Sequence, residues 1–272
     1  MATRQPLTFY NEPLAGVDTE DLQGKLIVVE GPDAVGRSTQ IALLRQWLER
    51  EGHAVLDSGM ARSALAGQGI KMAKTGNTLG AITMTLFYTT DFADRLEHEI
   101  IPALRAGFVV LIDRYIFSIM ARAIARNEDR EWIEQVAGFA LVPHAVYYLH
   151  AGVNTLVSRV VLGRGAFDYW ESGMDLRFGP DKYESFIKYQ TRLIKALDSM
   201  VEPYDFTVID ASQPIERIFR ELQKRIARLV GRSAHRPAVK RNVAVLSGKA
   251  VALRRRAAAR SHRTAALHRA EV

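Results

Sequence analysis

Two glycines and two polar residues follow directly on the apolar run of residues 25–30. They are Gly31, Gly36, Arg37 and Ser38, within the sequence GPDAVGRS. This spacing matches the phosphate-binding pattern G-x-x-x-x-G-K-[ST], except that arginine stands in the place of lysine. Backbone N–H groups of such a loop, with the positive end of the following helix dipole, bind phosphate oxygens even without the lysine. The alternative is a glycine-rich turn that binds nothing.

The arginine at position 37 bears on transfer more than on binding. A guanidinium is larger than an ammonium and prefers bidentate geometry, so it follows a moving phosphoryl group less easily. The residue types therefore predict phosphate binding and leave the transfer step to be tested.

A second polar group ends the apolar run of residues 108–113. Asp113, Arg114 and Tyr115 follow one another there. A carboxylate beside a phosphate loop can hold the shell of a magnesium ion, and the fork of donors of Arg114 can bind an acceptor phosphate. Taken alone, Asp-Arg at a strand end is equally typical of a helix cap followed by a solvated arginine.

Residues 86–107 predict a long amphipathic helix. Its apolar residues recur near helical spacing, which is typical of a core-facing stripe; they are Phe87, Phe92, Leu96, Ile100, Ile101 and Leu104. Arg95 and His98 share roughly the face of Phe92. The alternative is that Arg95 pairs with Glu99 and that His98 is exposed.

The polar residues described above must be positioned by strands and helices. Along the chain, short apolar runs alternate with longer segments of helical period. The predicted strands are residues 25–30, 54–58, 108–113, 145–150 and 206–210, and the predicted helices are residues 37–50, 80–106, 115–126, 129–139, 152–162, 182–201 and 214–230. This alternation predicts an α/β fold, a doubly wound five-stranded parallel sheet with helices on both faces. Ligands bind such a sheet beyond the carboxyl ends of its strands.

The composition predicts a single core. The chain has 272 residues, 48% of them hydrophobic, and contains no cysteine, which excludes disulfides and thiolate metal sites. No run of about 18 apolar residues occurs and the first residues lack a secretory apolar segment. We therefore expect no membrane span and a cytoplasmic location.

The formal charge of +7 is divided unevenly along the chain. Residues 231–272 hold eleven Lys and Arg against one acid, which gives them +10 and leaves −3 for residues 1–230. This basic segment lacks aromatic residues and predicts a disordered tail. Contact with nucleic-acid phosphates is one interpretation of it, and a merely solvated extension is the other.

Three blocks together resemble the thymidylate kinase family of P-loop nucleoside monophosphate kinases. They are VVEGPDAVGRSTQ, then FADRLEHEIIPALRAGFVVLIDRYIFS, then an arginine-rich segment at residues 158–173 that resembles a lid. The resemblance spans residues 24–230. It leaves residues 1–23 as an N-terminal extension and residues 231–272 as the tail.

The resemblance implies transfer of the γ-phosphoryl group of ATP to a nucleoside monophosphate, with dTMP as the first expectation and Mg²⁺ bridging the donor phosphates. It places ATP on Gly31, Ala34, Val35, Gly36, Arg37, Ser38 and Thr39, and Mg²⁺ on Ser38 and Asp113. The implied substrate-binding residues are Asp33, Phe92, Arg95, Arg114 and Arg122. The implied catalytic residues are Asp33, Arg37, Arg114, Arg159 and Arg164. A homodimer is also implied.

The sequence departs from the family in three places. Arg37 replaces the loop lysine. The turn after the second strand reads DSGMARSALAGQG, so that Arg62 is a candidate for an arginine missing from its usual position. Ala121, Arg122 and Ala123 replace Ala-Tyr-Gln, which changes the groups that read the base. The alternative function is therefore a catalytically weak or inactive nucleotide-binding protein, acting as a sensor or scaffold with a tail that binds nucleic acid.

Overall fold

Five parallel strands form the centre of the fold in the computed structural model, which describes residues 6–76 and 79–231. The strands are β1 (Lys25–Glu30), β2 (Val55–Gly59), β3 (Val109–Asp113), β4 (Ala145–His150) and β5 (Phe206–Asp210). They lie in the order β2-β3-β1-β4-β5, and each neighbouring pair is parallel. The predicted sheet is confirmed, and each strand begins and ends within one residue of its predicted bounds.

The helices connect successive strands and cover the sheet. They are α1 (Arg37–Arg50), α2 (Gly67–Gly76), α3 (Ala81–Arg95), α4 (Ile101–Arg105), α5 (Ile116–Ala125), α6 (Arg130–Val136), α7 (Val153–Gly163), α8 (Lys182–Asp198) and α9 (Ile215–Val230). A π-helical turn, Leu96–Ile100, joins α3 to α4. The sequence did not predict α2, whose three glycines lower its helix propensity, but Ile70 within it is fully buried in the core.

Alternate residues of β1 enter two separate cores. Leu26 and Val28 join the cluster built with α3, α4 and α5, whereas Ile27 and Val29 join the cluster built with α1, α7 and α9. All four side chains are fully buried. A strand that is apolar on both faces must be covered on both, which explains the doubly wound architecture.

The site lies where the strand order reverses. β1 is central, and the chain crosses it in passing from β3 to β4. A crevice forms beyond the carboxyl ends of the strands at such a point. Residues 31–36 follow β1 there and Arg114 follows β3, so the fold brings the two polar motifs of the sequence to one edge of the sheet.

The segment of residues 6–23 packs on the domain. Leu7 and Leu22 are buried, and Phe9 forms an antiparallel bridge with Leu141. The ring of Tyr10 packs edge-on against Phe117, with ring centroids 6.1 Å apart. Apolar side chains of the predicted N-terminal extension thus complete the core beside α5.

Within the described part of the chain, no helix is both long and apolar enough to cross a membrane. The predicted basic tail, residues 231–272, lies outside the described residues apart from Gly231.

Candidate active site

The loop between β1 and α1 has the backbone that an anion site requires. Ala34 and Gly36 have φ values of 63° and 100°, and α1 begins at Arg37. A Cβ atom on Gly31 would lie 2.6 Å from the carbonyl oxygen of Leu149, so only glycine fits there. The loop therefore directs backbone N–H groups and the positive end of the α1 dipole to one place. Val35 is buried beneath the loop, whereas Thr39 is exposed on α1.

Arg37 turns back onto its own loop. Its Nη1 donates to the carbonyl oxygens of Gly31 and Pro32, and its Nε donates to Asp113 Oδ1 at 2.8 Å. Burial and the nearby Arg114 lower the pKa of Arg37, and Asp113 opposes that shift. The guanidinium that replaces the lysine is thus anchored by three protein groups at the base of the loop.

Ser38 and Asp113 meet at the entrance of the same loop. The Ser38 hydroxyl donates to Asp113 Oδ2 at 2.9 Å. Burial alone would raise the pKa of Asp113, but Arg37, Arg114 and the Ser38 hydroxyl lower it below its usual 3.8. An ionised carboxylate beside a hydroxyl is a donor set suited to Mg²⁺, which prefers oxygen ligands.

Asp33 is the centre of the cationic side of the site. Its Oδ1 accepts from Arg114 Nη2 and from Arg122 Nη2, the latter at 2.9 Å. Its Oδ2 accepts from Arg122 Nη2 at 3.1 Å and from Gln190 Nε2 at 2.9 Å. Both oxygens therefore have two partners, which uses the hydrogen-bonding capacity of a carboxylate.

The charge of Asp33 is strongly stabilised. Its burial would raise the pKa, but the neighbouring guanidinium groups of Arg114, Arg122 and Arg37 hold it well below 3.8. Asp33 raises the pKa of Arg122 in return, against the effect of burial. The group stays ionised throughout the physiological range.

Arg114 is held in an uncommon backbone conformation. Its φ is 72°, in the left-handed region that non-glycine residues seldom adopt. The fully buried carboxylate of Glu30 fixes the turn after it, because it accepts from the backbone N–H groups of Tyr115 and Ser118 at 2.7 and 3.2 Å and from the Ser118 hydroxyl at 2.7 Å. Burial raises the pKa of Glu30, and these donors oppose the shift.

A cleft of about 190 Å³ opens beside Asp33 and Asp113. Four cationic residues line it: Arg62, Lys74, Arg114 and Arg122. Arg114 Nη1 and Arg122 Nε are buried and make no hydrogen bond to any protein group that the structure describes. Buried donors without partners are costly, so the cleft is suited to a ligand rich in anionic oxygens.

A narrower crevice continues from the cleft between α3 and α5. It has room for about one water molecule, at about 10 Å³, and shares Tyr88, Arg122 and Trp170 with the cleft. Met84 and Ile119 give it an apolar lining. The site thus has a polar end at the loop and an apolar, aromatic end away from it.

Phe92 and Arg95 lie outside both cavities. Phe92 is buried in the core, edge-on to Tyr115 with ring centroids 4.9 Å apart. Arg95 is 1% exposed; its Nε donates to Asp91 at 3.0 Å and its Nη1 to the Ser58 hydroxyl at 3.3 Å. The structure therefore does not bring these two expected substrate-binding residues to Arg114 and Arg122. The alternative pairing of Arg95 with Glu99 is also not formed, since the partner is Asp91.

The two lid arginines have different surroundings. Arg159 in α7 donates to the carbonyl oxygens of Val35 and Ala211, at 2.6 and 2.5 Å, and so touches the phosphate loop. Arg164 forms a two-pronged ion pair with Glu171, Nη1 donating to Oε1 at 3.0 Å. Arg164 therefore lies on the lid itself, and only Arg159 contacts the loop directly.

Several of the site residues described above were not predicted from the sequence, and Tyr88 and Trp170 of the cleft are two of them. Glu30 and Gln190 are buried hydrogen-bonding groups, and Lys74 lines the cleft from the unpredicted helix α2. The quoted block VVEGPDAVG contained Glu30, so its place beside the loop was a usable signal. A lone glutamine in an amphipathic helix gives no comparable signal.

Comparison with known proteins places this site in context. A family model for thymidylate kinase matches residues 29–222. A probable thymidylate kinase 2 of Saccharolobus solfataricus is 32% identical over 213 residues, 78% of this chain and 100% of that protein. A thymidylate kinase of Clavibacter michiganensis subsp. michiganensis is 32% identical over 221 residues, 78% of this chain and 99% of the relative. A probable thymidylate kinase of Thermococcus gammatolerans is 27% identical over 209 residues, 73% and 94% of the two chains.

Proposed function

This chain belongs to the thymidylate kinase family, and we propose that it transfers the γ-phosphoryl group of ATP to dTMP, giving dTDP and ADP. One observation carries the proposal: the loop after β1 borders, through Asp33, a cleft lined by Arg114 and Arg122, each of which has a buried donor without a partner among the described residues. Phosphoryl transfer needs little covalent chemistry from a protein and much positioned positive charge. The alternative of an inactive nucleotide-binding protein is not favoured, because donor and acceptor sides are both present.

The donor side of the reaction is assigned to the loop. Backbone N–H groups of Ala34, Val35 and Gly36 receive the β-phosphate, with Thr39 on the first turn of α1, whereas the Gly31 N–H donates to Glu30 Oε2 at 3.3 Å. Arg37 Nη1 occupies the base of the loop, where it supplies positive charge while its contacts with Gly31 and Pro32 keep the loop curved. Arg159 strengthens this side from α7.

A magnesium ion fits the same side. The Ser38 hydroxyl and the Asp113 carboxylate are adjacent oxygen donors, and Mg²⁺ is commonly held by one or two such groups together with substrate phosphates. A bound ion there would neutralise negative charge that develops on the phosphates during transfer. Asp113 Oδ1 stays with Arg37, so Oδ2 and the hydroxyl are the groups that would hold the ion.

The acceptor side is assigned to Arg114 and Arg122. Both side chains line the cleft and would bind the phosphate of dTMP, and Arg62 adds a further cation to its lining. Asp33 holds both arginines in place and is a positioning group because its oxygens are already occupied. The crevice beside Tyr88 and Trp170 has an apolar lining that suits the base, but it has room for only about one water molecule, so the base would enter only after it widens.

Arg95 and Phe92 have no direct part in this assignment. Both are buried in the core and line neither cavity. Arg164 joins the reaction only if it leaves Glu171, which makes lid movement part of the proposal.

The proposal also includes a homodimer, a cytoplasmic location and weak contact of the basic tail with nucleic acid. Size-exclusion chromatography with light scattering tests the dimer, and cell fractionation tests the location. Comparison of the full chain with a chain ending at residue 232 in DNA binding at low salt tests the tail; equal binding would contradict it.

Product analysis tests the proposed reaction. Purified protein, Mg²⁺ and ATP are incubated with each common nucleoside and deoxynucleoside monophosphate in turn, and the nucleotides are separated by chromatography. We expect dTDP and ADP in equal amounts from dTMP and less product from the other acceptors. A rise in melting temperature with ATP but no diphosphate from any acceptor would contradict the kinase.

A further inference from the structure

One buried amide connects the phosphate loop to the lid. Gln190 lies in α8 and is fully buried. Its Nε2 donates to Asp33 Oδ2 at 2.9 Å and to the Glu171 carbonyl oxygen at 2.7 Å. Its Oε1 accepts from the Asp33 backbone N–H at 3.2 Å. Both N–H donors and the carbonyl of the amide are therefore in use, two of these bonds holding a single loop residue.

The residues at the two ends of this connection each hold arginines of the site. Asp33 accepts from Arg114 and Arg122 on the acceptor wall. Glu171 pairs with Arg164 on the lid. A shift of Gln190 would therefore move the acceptor arginines and the lid arginine relative to each other.

An amide is the group that this position requires. A glutamate would have no donor for Asp33 or for the Glu171 carbonyl, and it would place a second buried carboxylate beside Asp33. A methionine has a similar length without either donor, so it removes the connection while nearly preserving the packed volume.

We propose that Gln190 is a positioning residue of the reaction, which keeps the acceptor arginines and the lid in register through Asp33 and Glu171. This proposal rests on the proposed function, because its kinetic test measures the phosphorylation of dTMP. Misplacement of reacting groups by about 1 Å can cost about a hundredfold in rate, so a residue that touches no substrate can matter at this scale.

Steady-state kinetics of Gln190→Met test the proposal. We expect the KM for dTMP to rise about tenfold and kcat to fall about tenfold, while the KM for ATP stays within about twofold. The matched control is Ser185→Ala, since Ser185 is equally buried in α8 and donates to the lid at the Ser172 carbonyl oxygen at 2.7 Å without touching Asp33. We expect this control to stay within about threefold of wild type in each parameter.

Equal losses in the two variants would mean that Gln190 only fastens α8 to the lid, and would overturn the proposal. A Gln190→Met protein with lowered melting temperature but an unchanged KM for dTMP would also overturn it. If this variant does not fold, Gln190→Asn, which keeps the amide one methylene shorter, is expected to raise the KM for dTMP by a smaller factor.

A double-mutant cycle separates the two branches of the connection. The loss of kcat on Gln190→Met is expected to be smaller in an Arg164→Ala background, because part of it acts through Glu171. If the losses of kcat in the two single variants simply add in the double variant, the connection from Gln190 through Glu171 to the lid is contradicted.

Trp170 gives a readout that needs no turnover. It is 5% exposed, adjoins Glu171, and its Nε1 donates to the Lys74 carbonyl oxygen at 2.9 Å. With Trp47 and Trp132 replaced by phenylalanine, we expect the emission of Trp170 to shift to longer wavelength in Gln190→Met, and an unshifted spectrum would contradict the lid branch. If the wild-type protein forms no dTDP, the proposed function is refuted. The emission spectrum would still test separately whether Gln190 holds the lid in place.

Discussion

The two sides of the site use their arginines in opposite ways. On the donor side, Arg37 donates its hydrogen bonds to protein groups, namely the carbonyl oxygens of Gly31 and Pro32 and the carboxylate of Asp113. On the acceptor side, Arg114 and Arg122 share the one carboxylate of Asp33, and each keeps a buried donor that has no partner in the described part of the chain. The arginine that replaces the loop lysine can thus be held by hydrogen bonds to its own loop. The arginines assigned to ligand binding instead keep N–H donors that are free to bind the ligand.

The largest expected effect comes from removing the acceptor cation. Arg114→Met should lower kcat/KM for dTMP by about a thousandfold, because the acceptor phosphate loses a charged, desolvated donor. Initial rates at several dTMP concentrations give the measurement. Arg130→Met, on an exposed pair with Glu134, is the control and should match wild type. A loss below tenfold would remove Arg114 from the acceptor site.

A smaller effect is expected on the donor side. Arg37→Ala should lower kcat by about a hundredfold, since the loop loses its positive charge and Asp113 its partner. Arg37→Lys should recover most of the rate, because an ammonium can reach the carbonyls of Gly31 and Pro32 without the bond to Asp113. An unchanged rate in Arg37→Ala, measured with saturating substrates, would exclude Arg37 from the mechanism.

Arg95 is buried outside the cleft, so its replacement should affect stability and not the binding of dTMP. Arg95→Met should lower the free energy of unfolding by about 2 kcal/mol, because the ion pair with Asp91 is lost while Asp91 keeps the N–H groups of Ala61 and Ser63. Urea unfolding measures this change. The KM for dTMP of the folded variant should match wild type, and a tenfold rise would return Arg95 to the acceptor site.

The smallest effect depends on pH. The pKa of Asp33 is lowered well below 3.8 in the folded protein, so the stability it contributes is present in full above that value. That stability is lost as the pH falls from 3.8 through the folded-state pKa. The difference in unfolding free energy between wild type and Asp33→Asn should therefore be constant from pH 5 to pH 8 and shrink below pH 4. A difference that changes between pH 6 and pH 8 would contradict this assignment.

Periodicity and turn chemistry predicted the framework of the fold because they are local. The five strands and the loop at residues 31–38 follow from apolar runs and glycine spacing that each segment carries by itself. Helix α2 was missed because burial of Ile70 outweighs the low propensity of its glycines.

The side-chain partners depended on distant contacts and were predicted less well. Helical spacing correctly grouped Phe92 with Arg95, but it could not tell a core face from a cleft face. The π turn at Leu96–Ile100 also changes the phase of the helix after Arg95. Gln190 reaches Asp33 across 157 positions of sequence, and nothing local indicates that contact.

Calorimetric titration of ATP and dTMP into wild type, Arg37→Ala and Arg114→Met tests most directly whether the two sides serve two substrates. We predict that Arg114→Met loses affinity for dTMP and keeps affinity for ATP, whereas Arg37→Ala keeps affinity for dTMP and loses only part of its affinity for ATP, because the backbone N–H groups of the loop remain. Equal losses of both ligands in both variants, or dTMP affinity that survives Arg114→Met, would contradict the division of the site into donor and acceptor sides.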